Sequence, residues 1–440
     1  MSCSKCKSED LHFVYIKTEY RYGREIMWRK IKLFIMVMLA VLITGMGFML
    51  LYLEKLKNES GGSGGVIVEF PFHMPHKEAQ EQPQEEQQEP DAPDSGLEEK
   101  SLALYEQAVS SGQKAMLVAC ESPERVTLSF AGDILFDEAY AVMYRYVARG
   151  SSVEDTFLSG LLERMRAADV FMLNNEFPYS NRGTPTEGKQ FTFRANPQHV
   201  GILKELGVDL VSLANNHAYD YGNEALLDTF DTLESAGIPY VGAGRNLDEA
   251  LKPVYLIAND MKIAVVSATQ IERNANPDTK EATAASAGVL RCLDPSALLR
   301  VIAEAKENSD FVILYIHWGT ESQEDIDWLQ EEQSATYARA GVDLIIGDHP
   351  HCLQKIDVVE GVPVVYSLGN FWFNSKTQDT CLVEVTVNRE GIENMRFVPC
   401  KSEECRTRLL EGTEAEGVLN YMRSISPNVY IDSDGYITWN

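Results

Sequence analysis

The chain has 440 residues and carries 39 Lys+Arg against 66 Asp+Glu, which gives a net charge of −27. Hydrophobic residues make up 45% and charged residues 24%, so the composition excludes a fully disordered chain, a collagen and a polytopic membrane protein. The excess of acid argues against non-specific binding to nucleic acid, because such binding requires a basic surface. We therefore expect no nucleic-acid partner.

The first feature in chain order is an apolar run from Leu33 to Leu53 that contains no charged residue. A helix needs about 20 apolar residues to cross a bilayer, and the run is longer than the apolar part of a cleaved signal peptide. Basic residues are more frequent before the run than after it, which places residues 1–32 in the cytoplasm. The sequence therefore predicts a single-pass protein of the cell membrane, with residues 33–53 as its anchor and the main domain extracellular.

Residues 54–122 follow the apolar run and are interpreted as a flexible acidic linker. They begin with a Gly/Ser stretch at residues 60–65 and continue into a segment rich in Glu, Gln and Pro at 76–100. Such a composition buries too little apolar surface to repay the entropy of folding. The pattern from Ser101 to Cys120 favours a short helix that leads into the folded part, which we expect at residues 123–440.

Strand-like and helix-like segments alternate through the folded part, which predicts an α/β fold with much parallel sheet. The predicted strands are Val126–Phe130, Val170–Leu173, Asp209–Leu213, Ile263–Ser267, Phe311–His317, Val342–Ile346 and Val362–Ser367. The predicted helices are Glu154–Ala167, Pro197–Leu206, Asn223–Ala236, Pro295–Glu307 and Asp325–Ala340. Near the end, Cys381–Val387 and Ile392–Pro399 are typical of an antiparallel hairpin.

Six of these strands end in Asp, Glu, Asn or His, and ligands bind at the carboxyl ends of strands in open α/β sheets. Four of the 8 histidines of the chain lie there, namely His217, His317, His349 and His351. A single such histidine would be unremarkable in a core, but four beside carboxylates and amides indicate a metal site. Mixed nitrogen and oxygen ligands suit one or two divalent ions of Mn, Fe or Zn.

The ordered motifs at these strand ends resemble a known family. GD after the first strand, then NNE, NNHAYDYG, HWGTE, GDHPH and YSLGNF, between Val126 and Phe373, are similar to the motifs of CapA/PgsA-type bacterial capsule synthesis proteins. That family is tied to poly-gamma-glutamate capsules and belongs to the calcineurin-like metallophosphatase superfamily. The resemblance implies a metallophosphatase-like four-layer α/β/β/α sandwich.

The resemblance also implies roles for individual residues. The residues that match metal ligands are Asp133, Glu176, Asn216, His317, His349 and His351. His217 matches the general acid that protonates a leaving group. Three further polar residues of the motifs are interpreted as substrate-binding, namely Glu321, Asp348 and Asn370.

Two functions remain open from the sequence. The first is a membrane-anchored, metal-dependent hydrolase or transferase acting on an anionic cell-surface polymer or its precursor. The second is a non-catalytic polymer-binding subunit that works with other membrane subunits of a capsule synthesis or export complex. The second is motivated by two departures from the superfamily's motifs: the histidine expected after the residue matching Asp133 is missing, and the second motif has Asn175-Glu176 where the superfamily carries GD. Lys189, Arg194 and Arg273 are further residues that an anionic polymer could meet, although solvated surface charge is their default interpretation.

Overall fold

The computed structural model describes residues 95–271 and 279–439. The predicted cytoplasmic segment 1–32, the apolar run Leu33–Leu53 and the linker up to residue 94 lie outside these ranges, as does Arg273. Within the ranges, no helix combines the length and apolarity needed to cross a membrane.

The secondary structure alternates between strands and helices. The helices are α1 (Ser95–Ser110), α2 (Ala141–Ala148), α3 (Leu161–Arg166), α4 (Val200–Leu206), α5 (Gly222–Ala236), α6 (Leu247–Ala250), α7 (Ser296–Asn308), α8 (Trp328–Ala340) and α9 (Gly412–Ile425), with a 3₁₀ turn at Pro197–His199. The first strands are β1 (Lys114–Leu117), β2 (Val126–Ile134), β3 (Phe157–Leu158), β4 (Val170–Asn175), β5 (Leu210–Ser212), β6 (Tyr240–Val241), β7 (Ala243–Gly244), β8 (Val254–Ala258), β9 (Met261–Thr269) and β10 (Gly288–Val289). The others are β11 (Phe311–His317), β12 (Leu344–Asp348), β13 (Ile356–Val359), β14 (Val362–Val365), β15 (Asn370–Trp372), β16 (Gln378–Asn388), β17 (Gly391–Glu403), β18 (Arg406–Leu409), β19 (Tyr430–Ile431) and β20 (Ile437–Thr438).

Two large sheets organise these strands. A 9-stranded sheet has the order β3-β18-β17-β16-β2-β4-β5-β6, and β15 pairs with the end of β2. A 7-stranded sheet has the order β1-β8-β9-β11-β12-β14-β13. Strands β2, β4, β5 and β6 run parallel, and so do β9, β11, β12 and β14. The carboxyl ends of each parallel set therefore lie along one edge of its sheet.

Three buried apolar clusters show how the sheets and helices pack. The first cluster joins one face of each sheet, as in the contact of Phe130 of β2 with Tyr315 of β11, whose ring centroids are 6.5 Å apart. The second covers the outer face of the 9-stranded sheet with helices α2 to α5, and the third covers the 7-stranded sheet with α7 and α8. Two sheets thus pack face to face, with helices on both outer surfaces.

The predicted strands all have counterparts, and the hairpin lies at β16 and β17, but two regions differ from expectation. The helix expected over Glu154–Ala167 is shorter, because Phe157–Leu158 pairs with β18 and α3 begins only after Gly160, whose φ is 77°. Ordered structure also begins before residue 123. Strand β1 pairs in parallel with β8, from Lys114 opposite Val254 to Leu117 opposite Ile257, so residues 114–117 are part of the 7-stranded sheet rather than of a flexible linker.

Candidate metal centre

Polar residues from both sheets meet where the parallel strands end. The 9-stranded sheet supplies Asp133 at the end of β2, Glu176 after β4, and Asn216 and His217 after β5. The 7-stranded sheet supplies His317 at the end of β11 and Asp348 at the end of β12, followed by His349 and His351. These side chains are buried, apart from that of His351, which is 19% exposed. The residues that the sequence predicts as a metal and acid cluster are therefore brought together.

Two glycines allow the backbone to approach this closely. A Cβ atom at Gly132 would lie 1.9 Å from the carbonyl oxygen of Gly369, so β15 can pair beside the end of β2 only because residue 132 has no side chain. A Cβ atom at Gly347 would lie 2.3 Å from the carbonyl oxygen of Tyr366. Each glycine directly precedes an acidic residue of the centre, so close backbone packing positions both carboxylates.

The segment after β12 holds its two histidines in an uncommon backbone conformation. His349 has φ 94° and His351 has φ 58°, values that residues with a side chain rarely adopt. Each such residue costs on the order of 1–3 kcal/mol and persists only where the surrounding structure enforces it. In this conformation Nδ1 of His349 lies 3.0 Å from Nε2 of His317, and Nδ1 of His351 lies 3.0 Å from Oδ2 of Asp133.

His317 lies at the middle of a hydrogen-bonding cluster. Its Nδ1 is 2.9 Å from Oδ1 of Asp348 and its Nε2 is 2.9 Å from Oδ1 of Asn216. Burial lowers the pKa of His317 to about 3, so the ring is neutral and carries a single proton. One of the two contacts must therefore be completed by a proton or a cation that His317 does not supply.

Glu176 is the most exceptional group of the cluster. It is fully buried, and neither carboxylate oxygen receives a hydrogen bond from any donor among the described residues. Its Oε1 lies 3.7 Å from Nε2 of His317, 3.8 Å from Nε2 of His217 and 4.0 Å from Nε2 of His351. These separations exceed a hydrogen bond but are close to the spacing of about 3–3.5 Å between two atoms that ligate one ion at about 2.1 Å.

The pKa values of the carboxyl groups in the centre shift in opposite directions. Burial and the charges of neighbouring acids raise the pKa of Glu176 and that of Asp348 well above their ordinary values. Burial also disfavours ionised Asp133, but the hydrogen bond and positive charge of His351 outweigh it and lower the pKa of that carboxyl. In a metal-free centre Glu176 and Asp348 therefore favour their protonated forms while Asp133 stays ionised, and a bound cation would replace the protons of the first two.

Burial and neighbouring charges also shift the pKa values of the other three histidines of the centre. Burial lowers the pKa of His217 and, strongly, that of His349, so both are neutral and have a lone pair for a ligand. Burial would lower the pKa of His351 as well, but its hydrogen bond to Asp133, 3.0 Å long, raises it.

The donor set fits a divalent cation. Three groups of side chains place one ligand atom each within 4.8 Å of the others: Glu176 with His317 and His349, Asp133 with His317 and Asp348, and Asp133 with Glu176 and His351. Imidazole nitrogens combined with carboxylate oxygens suit Mn, Fe or Zn. The two unsatisfied oxygens of Glu176 are what a bound cation would satisfy.

His217 lies at one side of this donor set, and a separate group of residues holds its ring in place. Its Nδ1 is 2.7 Å from Oδ2 of Asp220, which also accepts a hydrogen bond from the backbone N–H of Phe193. Lys189 pairs with the other oxygen of Asp220 and donates to the carbonyl oxygen of Asn216. The ring of Phe193 lies 4.2 Å from that of His217 and covers it. Nδ1 is thus held by a carboxylate, and Nε2 is directed toward Glu176.

The residues predicted to bind substrate take three different positions. Asp348 is fully buried and bonded to His317. Asn370 lies opposite Asp133 in the pairing of β15 with β2, and its Oδ1 has no partner in the described part of the chain. Glu321 is exposed in the loop after β11, close enough for its charge to raise the pKa of Glu176 and of His351.

Sequence reasoning missed several residues that support the centre. Asn174 donates to Oδ1 of Asp133, and Asn215 donates to Oδ1 of Asn174, so the first asparagine of each NN pair orients the cluster. Their positions in the motifs NNE and NNHAYDYG could have identified both residues from the sequence. Lys189 is not a solvated surface charge, because its side chain is only 3% exposed in its pair with Asp220. Nothing in the local sequence distinguishes it from an exposed lysine.

Comparisons with known proteins place this centre in a family. The family described as bacterial capsule synthesis protein PGA_cap matches residues 127–375. The PGA biosynthesis protein CapA of Bacillus subtilis (strain 168) is 30% identical over 285 residues, which cover 63% of this chain and 72% of that protein. The capsule biosynthesis protein CapA of Bacillus anthracis is 30% identical over 292 residues, covering 64% and 68%. A probable polyglutamine synthesis accessory protein of Mycobacterium tuberculosis (strain CDC 1551 / Oshkosh) is 25% identical over 282 residues, covering 59% and 73%.

The family match spans more than half of the chain and contains every residue of the centre. It also agrees with the resemblance predicted from the motifs between Val126 and Phe373. This chain therefore belongs to the bacterial capsule synthesis protein family PGA_cap.

Proposed function

We propose that the chain acts at the cell envelope in the synthesis or export of a poly-gamma-glutamate capsule, through a metal-dependent hydrolase or transferase centre of the metallophosphatase type. The observation that carries the proposal is Glu176, a buried carboxylate with two unsatisfied oxygens that faces three imidazole nitrogens. Family membership and the printed names of the relatives support the link to the capsule polymer.

The proposed ligands are Asp133, Glu176, Asn216, His317, His349 and His351, to which we add the buried carboxylate of Asp348. A divalent ion held there would supply Lewis-acid polarisation of a phosphoryl or carbonyl oxygen. The position that a second ion's histidine would take after Asp133 is occupied by the buried side chains of Ile134 and Leu135. This favours one tightly held ion over two.

His217 is proposed as the general acid. The Nδ1–H group of the neutral ring donates a hydrogen bond to Asp220, which fixes the ring with the Nε2 lone pair toward the centre, so Nε2 can take up a proton and pass it to a leaving group. The cover by Phe193 excludes water from one face of the imidazole. Lys189 pairs with Asp220 on its far side, so the buried carboxylate has a positively charged partner.

The location at the cell envelope is proposed from the sequence and the relatives. The apolar run Leu33–Leu53 would anchor the chain in the cell membrane as a single span, with residues 95–440 on the extracellular side, where a capsule polymer is handled. Its proposed partners are the anionic polymer or its precursor and other membrane subunits of the capsule complex.

The experiment measures metal content and turnover in the same preparation of the full chain. We expect a divalent ion by elemental analysis and hydrolysis of phosphoesters or γ-glutamyl amides that a chelator abolishes. Glu176→Gln should lose both, whereas Glu332→Gln, which changes an exposed acid on α8, should lose neither. Absence of metal and of metal-dependent turnover in the wild type would overturn the proposal and leave a polymer-binding subunit as the function of the fold.

A further inference from the structure

We propose that a polar cavity beside the metal centre binds one carboxylate-bearing residue of an amide-linked acidic chain, with Arg194 as the receptor for the carboxylate. The cavity has a volume of about 470 Å³, and its walls include Asp137, Tyr140, Asn181, Arg194, Asn196 and Tyr221. The inference rests on the proposed function for the identity of the chain, an oligo-γ-glutamate.

The cavity adjoins the proposed general acid. The ring of Tyr140, in the cavity wall, packs against Phe193 at 5.0 Å, and Phe193 packs against His217 at 4.2 Å. One aromatic ring thus separates the cavity from the imidazole. A polymer whose reacting bond lies at His217 can place a neighbouring residue in the cavity.

Arg194 is held in place but not neutralised. Its guanidinium lies over the ring of Tyr221 at 4.2 Å, and Nη1 donates to the carbonyl oxygen of Arg182 at 3.1 Å. In the described ranges it forms no ion pair with a carboxylate. A guanidinium has five donors in a planar fork, so Arg194 retains free donors in a fixed orientation, and that fork matches a carboxylate.

The acids beside the cavity are already bonded to other groups. Asp137 accepts hydrogen bonds from the backbone N–H groups of Ala139 and Arg194, at 2.8 and 2.7 Å. Glu138 lies 2.6 Å from Nε2 of His199. Neither carboxylate forms an ion pair with the guanidinium, although the charge of Arg194 acts on Asp137 against the effect of burial on its pKa. The hydrogen-bond donors of Arg194 are therefore available to an incoming anion.

Two amide side chains add recognition of a chain that contains amide bonds. Oδ1 of Asn196 accepts a hydrogen bond from the backbone N–H of Gln198, which leaves its NH₂ group for a ligand. Asn181 makes no side-chain hydrogen bond to other described residues. One free guanidinium and two available amides complement a residue with one carboxylate and flanking amide groups.

The charge of a second loop beside the centre supports this direction. The loop after β11 exposes Glu321, Glu324 and Asp325, and Glu321 acts electrostatically on Glu176 and His351. An acidic polymer is repelled from that loop and attracted to Arg194. The chain therefore extends from the metal centre toward the cavity rather than across the acidic loop.

The test measures binding of a short fluorescent oligo-γ-glutamate to the full chain by anisotropy. Arg194→Gln should weaken binding about 10-fold or more, because it removes a charge-assisted hydrogen-bonding pair. Arg182→Gln is the matched control, since it removes the same charge from the same segment at a guanidinium already paired with Asp228. It should change affinity by less than about twofold. Arg194→Lys keeps the charge but loses the fork, so it should give an intermediate loss, and thermal melts of each variant report folding.

Three results from the variants would overturn the inference: no binding by the wild type, equal binding by wild type and Arg194→Gln, or equal loss in Arg194→Gln and Arg182→Gln. Undiminished binding of the same oligomer with its carboxylates converted to amides would also overturn it. Binding that depends on Arg194 in a chain without metal or turnover would instead refute the proposed catalysis and retain the cavity. Metal-dependent turnover together with unchanged binding by Arg194→Gln would support the proposed catalysis and refute the role of the cavity.

Discussion

Asp133 and His351 form a hydrogen bond of 3.0 Å although 218 positions separate them in the chain. The bond joins the end of β2 in the 9-stranded sheet to the loop after β12 in the 7-stranded sheet. It also holds the Asp133 carboxyl in its ionised form, because the positive charge of His351 offsets the cost of burial. The centre therefore depends on the packing of the two sheets against each other.

We expect Glu176→Gln to be more stable than the wild type without metal and less stable than the wild type with metal. Without metal the variant should melt at a higher temperature than the wild type, because it removes a buried carboxyl that no donor satisfies. With metal the wild type should melt higher, since a ligand at 100 times its Kd adds about 2.7 kcal/mol. Calorimetry with chelator and with added metal checks both states. The same order of melting temperatures in both would contradict a metal role for Glu176.

The stability of the metal-free protein is expected to depend on pH through Glu176. Its pKa is raised in the folded state, so above the ordinary value of 4.5 the folded chain holds a proton that the unfolded chain has released. Stability then falls as pH rises, by at most about 1.4 kcal/mol per unit, until the raised pKa is passed. In chelator, the stability advantage of Glu176→Gln over wild type should therefore grow as the pH rises above 4.5 and level off once the raised pKa is passed. Denaturant titrations at each pH measure it, and a constant difference would refute the raised pKa.

We expect substitutions of the neighbouring residues Asn216 and His217 to have different effects on metal content and turnover. His217→Asn should keep the metal and the fold while lowering turnover about 10²–10⁴-fold, because it removes only the proton donor. Asn216→Ala should lower metal occupancy and turnover together, since Oδ1 of Asn216 points at the cluster, 2.9 Å from Nε2 of His317. Elemental analysis beside kinetics separates the two. Equal loss of metal in both variants would show that His217 is itself a ligand.

Lys189→Met is expected to destabilise the fold by about 3–5 kcal/mol, because it leaves Asp220 buried without its ammonium partner. Lys306→Met is the control, since Lys306 pairs with Asp343 at the surface, where such pairs contribute at most about 1 kcal/mol. Urea denaturation of both variants gives the two differences. Similar losses from the two would mean that the buried pair has no special contribution.

A chain shortened to begin at residue 95 is expected to fold like the full chain, whereas one that begins at residue 123 should be less stable. The second lacks β1, which pairs with β8, and the buried side chains of Ser101 and Ala108 on α1. Their loss should cost at least about 2 kcal/mol. Chemical denaturation of the two shortened chains measures the difference. Equal stability would restore residue 123 as the start of the folded part.

The sequence predicted the strand ends of the centre well because each is a local pattern. A buried apolar run followed by Asp133, or by His317, identifies both the strand and the residue that it presents. The order of the motifs also sufficed to identify the family. The short strand β1 was not predicted, because four residues with one charge, Lys114–Leu117, show no period of their own.

Contacts made by distant segments were beyond the reach of local patterns. Lys189 and Asp220 are 31 positions apart, and only the packed structure shows that they are paired and buried. The same holds for Phe193, which covers His217 from another loop. The cavity beside Arg194 exists only where residues 137–140, 180–196 and 221 meet.

Because both sheets supply residues to the centre, it can form only after the two sheets have packed together. Asp133 and Glu176 come from the first half of the chain and His349 and His351 from the second, so no partial product of synthesis or export contains a complete site. Contacts of such long sequence separation form late in folding, after their loops close. Any ion that the centre holds in full coordination is therefore acquired only after the two sheets have packed, so the metal ions available at that stage, and not those met by the nascent chain, decide which metal is bound.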